Sequence, residues 1–307
     1  MAADTGHVSL TLPTAATGAA RRRARRTAFL MLSPGLIWLA VFVLVPFGFA
    51  IAMSFWTSTI FGTTPAFQFG NYAQALATPF YRNLLVKTLW VSFVTTLISL
   101  AISYPIAYLL ATLRGTAKTG FVLLLFLPFW TSYVVRTFVW LPILGTTGAI
   151  NQFLLYLGLI DHPIGWLLYD SGAVYIGLIY VYTLFMTLPI YLSIDKIDPR
   201  LIEAAADLGA RPFWIFWRVI LPLSWPGVLS GSLMVFLLSV SAYVTPQLLG
   251  GTSGILYSNM IAIQYISTNN WAFGAALSVV LFGVVLLLLI VFGRWIGLQQ
   301  VVSGGRR

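Results

Sequence analysis

Six long apolar runs limit what this chain can fold into. They cover residues 29–53, 87–113, 120–144, 173–194, 223–243 and 271–295. Each run reaches the roughly 20 residues that an α-helix needs to cross the hydrocarbon core of a bilayer. Because backbone N–H and C=O groups find no water inside a bilayer, such runs cross it as helices. The sequence therefore predicts an all-α membrane protein with six transmembrane helices.

The composition excludes several classes of site. The chain is 59% hydrophobic and 8% charged, and it has no cysteine, so disulfides, thiolate catalysis and cysteine-ligated metals are ruled out. Its two histidines, His7 and His162, lie far apart and outside the apolar runs. No glycine-rich phosphate loop followed by Lys-Ser or Lys-Thr is present. We therefore predict a non-catalytic membrane subunit that binds no metal and does not itself hydrolyse ATP.

The basic residues predict the orientation of the chain. With the N-terminus inside, only Arg82, Lys87 and Arg136 of the 17 basic residues fall on the outer side. The positive-inside rule then places both termini in the cytoplasm. The arginines at 21–26 are predicted to anchor the topology of the chain beside anionic membrane lipid. The net charge of +10 therefore does not require nucleic acid as a partner.

This orientation divides the chain into three parts. Residues 1–28 are predicted to be a disordered, basic cytoplasmic tail, and residues 29–295 the transmembrane domain. Residues 296–307 are predicted to be a cytoplasmic C-terminal tail. The loop at residues 195–222, between the fourth and fifth runs, is the most charge-dense part of the chain.

The charge-dense loop carries its own start and stop signals. Asp198 is a suitable N-cap for a short helix over residues 201–208, with Pro199 at a first-turn position. Gly209 supplies a left-handed stop after that helix. A second short helix is predicted to begin at Pro212, and Pro222 is predicted to end or kink it. The predicted product is a compact protrusion made of two short helices.

The same loop resembles a known signature. It reads Glu203-Ala204-Ala205, three residues, Gly209, nine residues, Val219, one residue and Leu221-Pro222. This resembles the cytoplasmic signature of the permeases of binding-protein-dependent ABC importers, in which Ile stands in place of Val219. The segments at 128–154, 197–210 and 244–251 are similar to the spermidine/putrescine branch of that family.

The resemblance implies a fold, partners and a mechanism. It implies the type I ABC importer permease fold, in which a five-helix core follows an extra first helix, in the inner membrane of a bacterium. The loop would be the coupling helix that docks on an ATPase subunit. A second homologous permease, two ATPase subunits and a periplasmic solute-binding protein would complete a polyamine importer that works by alternating access. ATP and Mg would bind the ATPase, and this chain would bind no cofactor.

Other interpretations stay open on the sequence alone. The loop could be an interfacial amphipathic helix without a partner. The ABC importer could carry an opine, an aminophosphonate or ferric iron. An ion-coupled secondary transporter would need ionisable residues inside its spans, and these are nearly absent. A lipid-modifying membrane enzyme would need a cluster of carboxylates or histidines at an interface, and the only polar cluster is the loop itself.

Candidate residues for a translocation path are few. No carboxylate lies in the middle of any apolar run. Arg136 is well away from the predicted cytoplasmic ends, where it either snorkels to the interface or pairs within the bundle. Trp130, Tyr133 and Tyr243 could bind a cation through their rings, or they could serve only as packing and interface aromatics.

Glycine and proline positions predict close packing and irregular helices. Gly227 and Gly231 lie four residues apart, which indicates close approach of a neighbouring helix. Prolines in or at the ends of the runs indicate kinks or broken helices, which transporters tolerate where the helices line a cavity. These are Pro105, Pro128, Pro142, Pro189 and Pro246.

Overall fold

The computed structural model describes residues 18–59 and 62–304, which are almost entirely helical. Helix α1 (Gly18–Leu39) continues through a π turn (Ala40–Leu44) into α2 (Val45–Met53). The predicted N-terminal tail lies outside the described residues up to residue 17, and its remainder forms the beginning of α1. The described residues up to Ala52 form one compact unit by themselves, and the described residues from Met53 onward form a second.

The second unit begins with a short hairpin and a small helix. Strands β1 (Thr57–Thr59) and β2 (Gly62–Thr64) pair antiparallel, with Thr57 opposite Thr64. The Asn71 side-chain amide fixes the entry to this hairpin, because it donates to the backbone carbonyls of Ser54 and Trp56 at 2.9 Å each.

The remaining helices follow in chain order. They are α3 (Gly70–Ala77), α4 (Pro79–Thr112), α5 (Gly115–Phe126), α6 (Tyr133–Phe138), α7 (Trp140–Leu144), α8 (Ala149–Tyr156), α9 (Ser171–Ile194), α10 (Pro199–Asp207), α11 (Pro212–Ile215), α12 (Leu221–Val240), α13 (Val244–Leu249), α14 (Tyr257–Ile266) and α15 (Trp271–Gly304). Since α15 runs to Gly304, most of the predicted C-terminal tail continues the last helix.

Six stretches of the described residues are long and apolar enough to cross a membrane. They are Met31–Met53, Pro79–Thr112, Tyr133–Tyr156, Ser171–Ile194, Pro212–Val240 and Trp271–Arg294. The predicted number of spans is therefore confirmed, and five of the six stretches overlap their predicted runs, although Pro79–Thr112 and Pro212–Val240 begin 8 and 11 residues before the predicted starts at 87 and 223.

The third predicted span, residues 120–144, differs from the structure. Helix α5 passes into a 3-10 turn (Leu127–Trp130), and the chain is then extended at Thr131. Pro128 is the second residue of this turn and has no N–H to continue an α-helix, and the Thr131 hydroxyl donates to the Pro128 carbonyl at 2.8 Å. The stretch Tyr133–Tyr156 meets the length criterion, yet it consists of the three short helices α6 to α8. This region is an interrupted helix, in line with the prediction from its prolines.

Helices α4, α9 and α12 pack together as the centre of the bundle. Their contact buries Leu178, Met186 and Ile190 completely. The predicted close approach at Gly227 is confirmed, because a Cβ added there would lie 2.5 Å from the Pro189 carbonyl oxygen on α9. The α4 face in this contact is polar, with buried hydroxyl groups that include Ser92, Thr95 and Ser99. The helices are thus held by small and polar residues, as is typical of membrane bundles.

Candidate functional site: the loop between α9 and α12

The loop begins where α9 is tied to a neighbouring helix. Asp195 follows the last residue of α9 and forms an ion pair with Lys118 of α5 at 2.5 Å. The Lys118 ammonium also lies 5.6 Å from the centre of the Tyr191 ring. Both charged side chains are about one-third exposed, so the pair is worth little as a stabilising interaction. It lies at the point where the loop leaves the bundle.

Helix α10 has the N-cap residue that the sequence predicted. The Asp198 carboxylate accepts a hydrogen bond from the backbone N–H of Arg200 at 3.0 Å, and Pro199 occupies the first helical position. The cap satisfies one of the N–H groups that a helix start leaves without a partner. The helix therefore begins two residues before the predicted range of 201–208 and ends at Asp207.

The two faces of α10 meet different surroundings. Ile202 and Ala205 are half-buried and pack against the core formed by α4, α9 and α12. The opposite face is exposed, and we call it the docking face. It consists of Glu203, Ala204, Asp207 and Leu208, of which Leu208 is 89% exposed. Leu208 is an apolar side chain with almost no cover from this chain, so the docking face combines one large apolar group with two carboxylates.

Gly209 ends α10 in the predicted left-handed conformation, with φ of +81°. Its N–H donates to the Ala206 carbonyl at 2.8 Å, and the N–H of Ala210 donates to the Ala205 carbonyl at 3.1 Å. These two bonds form a Schellman motif, which satisfies the last carbonyls of a helix. Apart from its chain neighbours, no described residue has an atom within 4 Å of where a Cβ on Gly209 would be. The requirement for glycine is therefore conformational and not a matter of space.

The second part of the loop runs directly into a membrane span. Helix α11 continues through a π turn (Phe216–Ile220) into α12, so of the two predicted effects of Pro222, an end of the helix is excluded and an irregularity next to the proline is what the structure has. Pro222 has no N–H to donate to the carbonyl four residues earlier. In the π turn the N–H of Leu221 bonds to the Phe216 carbonyl, five residues back. This wider turn lets the helix pass the proline.

The signature residues separate into two sets. Glu203, Ala204, Gly209 and Pro222 are exposed. Ala205, Val219 and Leu221 are half-buried, and the first two pack against the core cluster. The first set is available to a partner, whereas the second holds the loop on the bundle. Among the described residues, Glu203 forms no ion pair with Arg200, and its side chain is exposed.

The four candidate path residues lie in two segments of the chain, residues 130–136 and the residue just before α13. Trp130 is 87% exposed at the end of the 3-10 turn. The Tyr133 hydroxyl is 2.7 Å from the Thr245 hydroxyl, which joins α6 to α13. Tyr243, just before α13, lines an apolar groove of about 590 Å³ between α12, α14 and α15. None of the other three candidates lines that groove.

Arg136 lies on α6 with part of its guanidinium enclosed. Its Nε and Nη1 atoms are buried and have no hydrogen-bond partner among the described residues. The guanidinium carbon lies 6.0 Å from the centre of the Phe129 ring. Among the described residues Arg136 forms no ion pair with a carboxylate, so the predicted pairing within the bundle is not seen there, and the Phe129 ring is its recorded neighbour.

A polar cluster at the start of α9 was not found from the sequence. The Ser253 hydroxyl donates to the Asp170 carboxylate at 2.6 Å, and the N–H of Gly172 donates to its other oxygen at 3.2 Å. Lys87 donates to the carbonyls of Ser253 and Ile255, the latter at 3.2 Å. The hydrogen bond from Ser253 holds the pKa of Asp170 below its usual range, and Lys87 acts in the same direction. The cluster joins α4, α9 and the loop before α14.

Two comparisons with curated proteins bear on the family. The chain is 38% identical over 258 residues to the spermidine/putrescine transport system permease protein PotB of Escherichia coli (strain K12), which covers 84% of this chain and 93% of PotB. It is 32% identical over 270 residues to the inner membrane ABC transporter permease protein YdcU of Escherichia coli (strain K12), covering 82% and 84%. No protein-family model matches the chain.

Solved structures show the same fold. A bacterial ABC transporter involved in import of the acidic polysaccharide alginate has a chain that matches with a TM-score of 0.73 and 17% identity, over 90% of this chain and 96% of that one. The bacterial alginate ABC transporter in complex with an alginate pentasaccharide-bound periplasmic protein matches with a TM-score of 0.66 and 17% identity, over 88% and 93%. The chain therefore belongs to the family of ABC importer permeases that includes the spermidine/putrescine permease PotB, and it has their six-helix membrane fold.

Proposed function

We propose that this chain is the permease subunit of an ATP-driven importer for polyamines of the spermidine and putrescine class. The observation that carries the substrate is the 38% identity with PotB over 84% of the chain. YdcU, at 32% identity, has no solute in its name, so an importer for an opine, an aminophosphonate or ferric iron is the second candidate.

The docking face is the proposed contact with the ATPase. Glu203 and Ala204 are exposed on it, and Gly209 sets the direction in which the chain leaves it. Leu208 would fill an apolar pocket on the partner, since a single large exposed side chain beside small alanines suits insertion into a groove. Both termini and this loop would then face the cytoplasm, where ATP and Mg bind the ATPase subunits.

The half-buried signature residues suggest how a movement of the loop would reach the spans. Ala205 and Val219 pack against the core that α9 and α12 share. Closure of the ATPase dimer by ATP would draw the coupling loops of this permease and of a second, homologous permease together. The bundles would tilt to open outward, which is a population shift driven by differential affinity for the two states.

A polyamine would be delivered by a periplasmic binding protein and pass between the two permeases. Among the described residues, this chain offers no carboxylate within its membrane spans. Trp130, Tyr133 and Tyr243 are the proposed cation contacts, each worth roughly 0.5–2 kcal/mol as a cation–π interaction. Because Arg136 repels a cation, we do not propose that it binds the substrate. Its proposed role is to form one boundary of the path.

The test begins with purification of the chain from its native membrane in mild detergent. Mass spectrometry is expected to find an ATPase and a second permease with it. The assembled complex in proteoliposomes, with its binding protein, should take up radiolabelled spermidine only when Mg-ATP is supplied. Uptake by this chain alone, driven by an ion gradient, would contradict the proposal and support a secondary transporter. ATP-driven uptake of another solute, without competition by spermidine, would retain the importer and exclude the polyamine.

A further inference from the structure

Three large aromatic side chains are exposed directly after the docking face. Phe213, Trp214 and Trp217 lie in α11 and the π turn, and they are 64%, 48% and 50% exposed. The centre of the Phe213 ring lies 6.1 Å from each of the other two ring centres. Packing of this chain therefore groups the rings without covering them.

Two arginines lie at the ends of the same segment. The Arg218 guanidinium carbon lies 4.5 Å from the centre of the Trp214 ring, and Arg211 is the N-cap residue of α11. Both side chains are exposed. The sequence contains no aspartate or glutamate after Asp207. The five residues of this surface, which we call the aromatic–arginine patch (Arg211, Phe213, Trp214, Trp217 and Arg218), include two cations and no carboxylate.

The patch is continuous with a face that lies in the bilayer. Ile215 is buried, and the Phe216 ring meets Tyr104 of α4 edge-on at 5.5 Å, which fixes the inner side of the segment. On the outer side, Leu223 and Trp225 of α12 continue the exposed apolar surface. All of these residues except Tyr104 belong to the span Pro212–Val240. The patch therefore lies at the N-terminal end of that span, where the span meets the boundary of the membrane.

We infer that the aromatic–arginine patch binds the headgroups of anionic phospholipids at the cytoplasmic surface of the membrane. Exposed tryptophans suit the level of the headgroups, and arginines attract the anionic lipids of the cytoplasmic leaflet. The inference rests on the proposed function in one respect, because the cytoplasmic location of the patch comes from that proposal. It adds a lipid site beside the coupling helix, so the lipid would anchor the second half of the loop while the ATPase moves the first.

The chemistry of the loop favours lipid over a protein partner at this patch. The carboxylates Glu203 and Asp207 lie on α10, whereas the patch holds only positive charge. The arginine at Trp214 combines a cation with an aromatic ring, which fits a phosphate above an acyl chain. An ATPase surface that bound the patch would have to cover rings that continue into the membrane span.

The test measures lipid retention by the full-length chain. Native mass spectrometry in a detergent micelle would count phosphatidylglycerol and phosphatidylcholine molecules that stay bound at matched concentrations. The test variant is the double substitution Arg211→Gln and Arg218→Gln. The matched control is Lys196→Gln with Arg200→Gln, which removes the same charge from exposed positions outside the patch. A second pair, Trp214→Leu with Trp217→Leu, keeps the charge and removes the rings.

We expect wild type to retain phosphatidylglycerol in preference to phosphatidylcholine, and the test variant to lose about fivefold in affinity for each arginine removed. The control should keep the preference.

Equal loss in the test and control variants would show charge attraction without a site, and would overturn the inference. So would unchanged lipid retention with loss of the co-purifying ATPase, which would make the patch a protein contact. Phosphatidylglycerol should also raise the unfolding temperature of wild type, so a variant that expresses poorly does not remove the test. Failure of spermidine uptake would affect the proposed function and leave these lipid counts unchanged.

Discussion

Gly209 holds the end of α10 through its backbone and not through a side chain. Its φ of +81° is a conformation that costs most other residues roughly 1–2 kcal/mol. If the loop docks on an ATPase as we propose, Gly209→Val should shift it away from the docked geometry and lower ATP-driven uptake about tenfold, while the chain still inserts in the membrane. Uptake by the reconstituted complex and co-purification of the ATPase would measure this.

Gly209→Asn is the matched variant, because asparagine tolerates the left-handed conformation and no atom lies near the position of the added side chain. It should keep most of the uptake. If the valine and asparagine variants lose uptake equally, the backbone conformation is not what matters at this position.

Asp170 makes a pH-dependent contribution to stability. Its pKa lies below the usual 3.8, so folding favours the ionised carboxylate. The contribution is therefore present above the unfolded value and is lost as pH falls through the lower folded value. The unfolding temperature of Asp170→Asn in detergent should lie below that of wild type at pH 7 by an amount that stays level down to about pH 5 and shrinks below about pH 4.

Asp161→Asn makes the same chemical change at an exposed position in the same region of the chain. It should leave the unfolding temperature at pH 7 close to that of wild type. If the unfolding temperature of Asp170→Asn fell further below that of wild type as the pH was lowered, the ionised carboxylate of Asp170 would not be the stabilising form.

At the scale of the helices, the contact between α9 and α12 depends on the absence of a side chain. A Cβ on Gly227 would lie 2.5 Å from both the Pro189 carbonyl oxygen and the Ser193 Cβ atom. Gly227→Ala should therefore separate the helices and destabilise the bundle by about 1–3 kcal/mol, as overpacking of a close contact does. Thermal unfolding in detergent would measure the loss.

Gly283→Ala in α15 is the control for helix propensity. No atom lies within 4 Å of its added Cβ, and alanine is favoured over glycine in a helix by about 1 kcal/mol. This variant should be as stable as wild type or more so. Equal stability of the two alanine variants would mean that α9 and α12 adjust to the added methyl group without cost.

The start and stop signals of α10 could be read from the sequence because they are local. Asp198, Pro199 and Gly209 act on the backbone within a few residues of themselves, and the structure places all three as predicted. The break at Thr131 and the π turn before Pro222 were not located from the sequence. Both are backbone irregularities near a proline. The residue at which each irregularity falls depends on how the neighbouring helices pack.

The division of the signature into exposed and half-buried residues also required the structure. The sequence placed Glu203, Ala204 and Ala205 together as one docking element. In the structure Ala205 packs against the bundle, because α10 turns one of its faces to the core formed by α4, α9 and α12. The cluster of Asp170, Ser253 and Lys87 was missed for a related reason, since its members are far apart in the sequence.

At the scale of the whole molecule, the distribution of basic residues predicts which side of the membrane each loop faces. The chain has no cysteine, so a single introduced thiol can be labelled without background. Leu208 on the docking face and Tyr156 at the end of α8 are each 89% exposed, and on the predicted topology they lie on opposite sides. Neither substitution removes a buried contact.

Tyr156→Cys should react with a membrane-impermeant maleimide in cells whose outer membrane alone has been permeabilised. Leu208→Cys, expressed without its partner subunits so that nothing covers the docking face, should react only after the inner membrane is also opened. The labelled fraction at each stage would be read on a gel. The reverse pattern would place both termini outside, and would put the docking face where no ATPase could reach it. Labelling of both thiols before the inner membrane is opened would mean that the chain does not adopt one orientation. The positive-inside argument would then fail for this protein, whatever its fold.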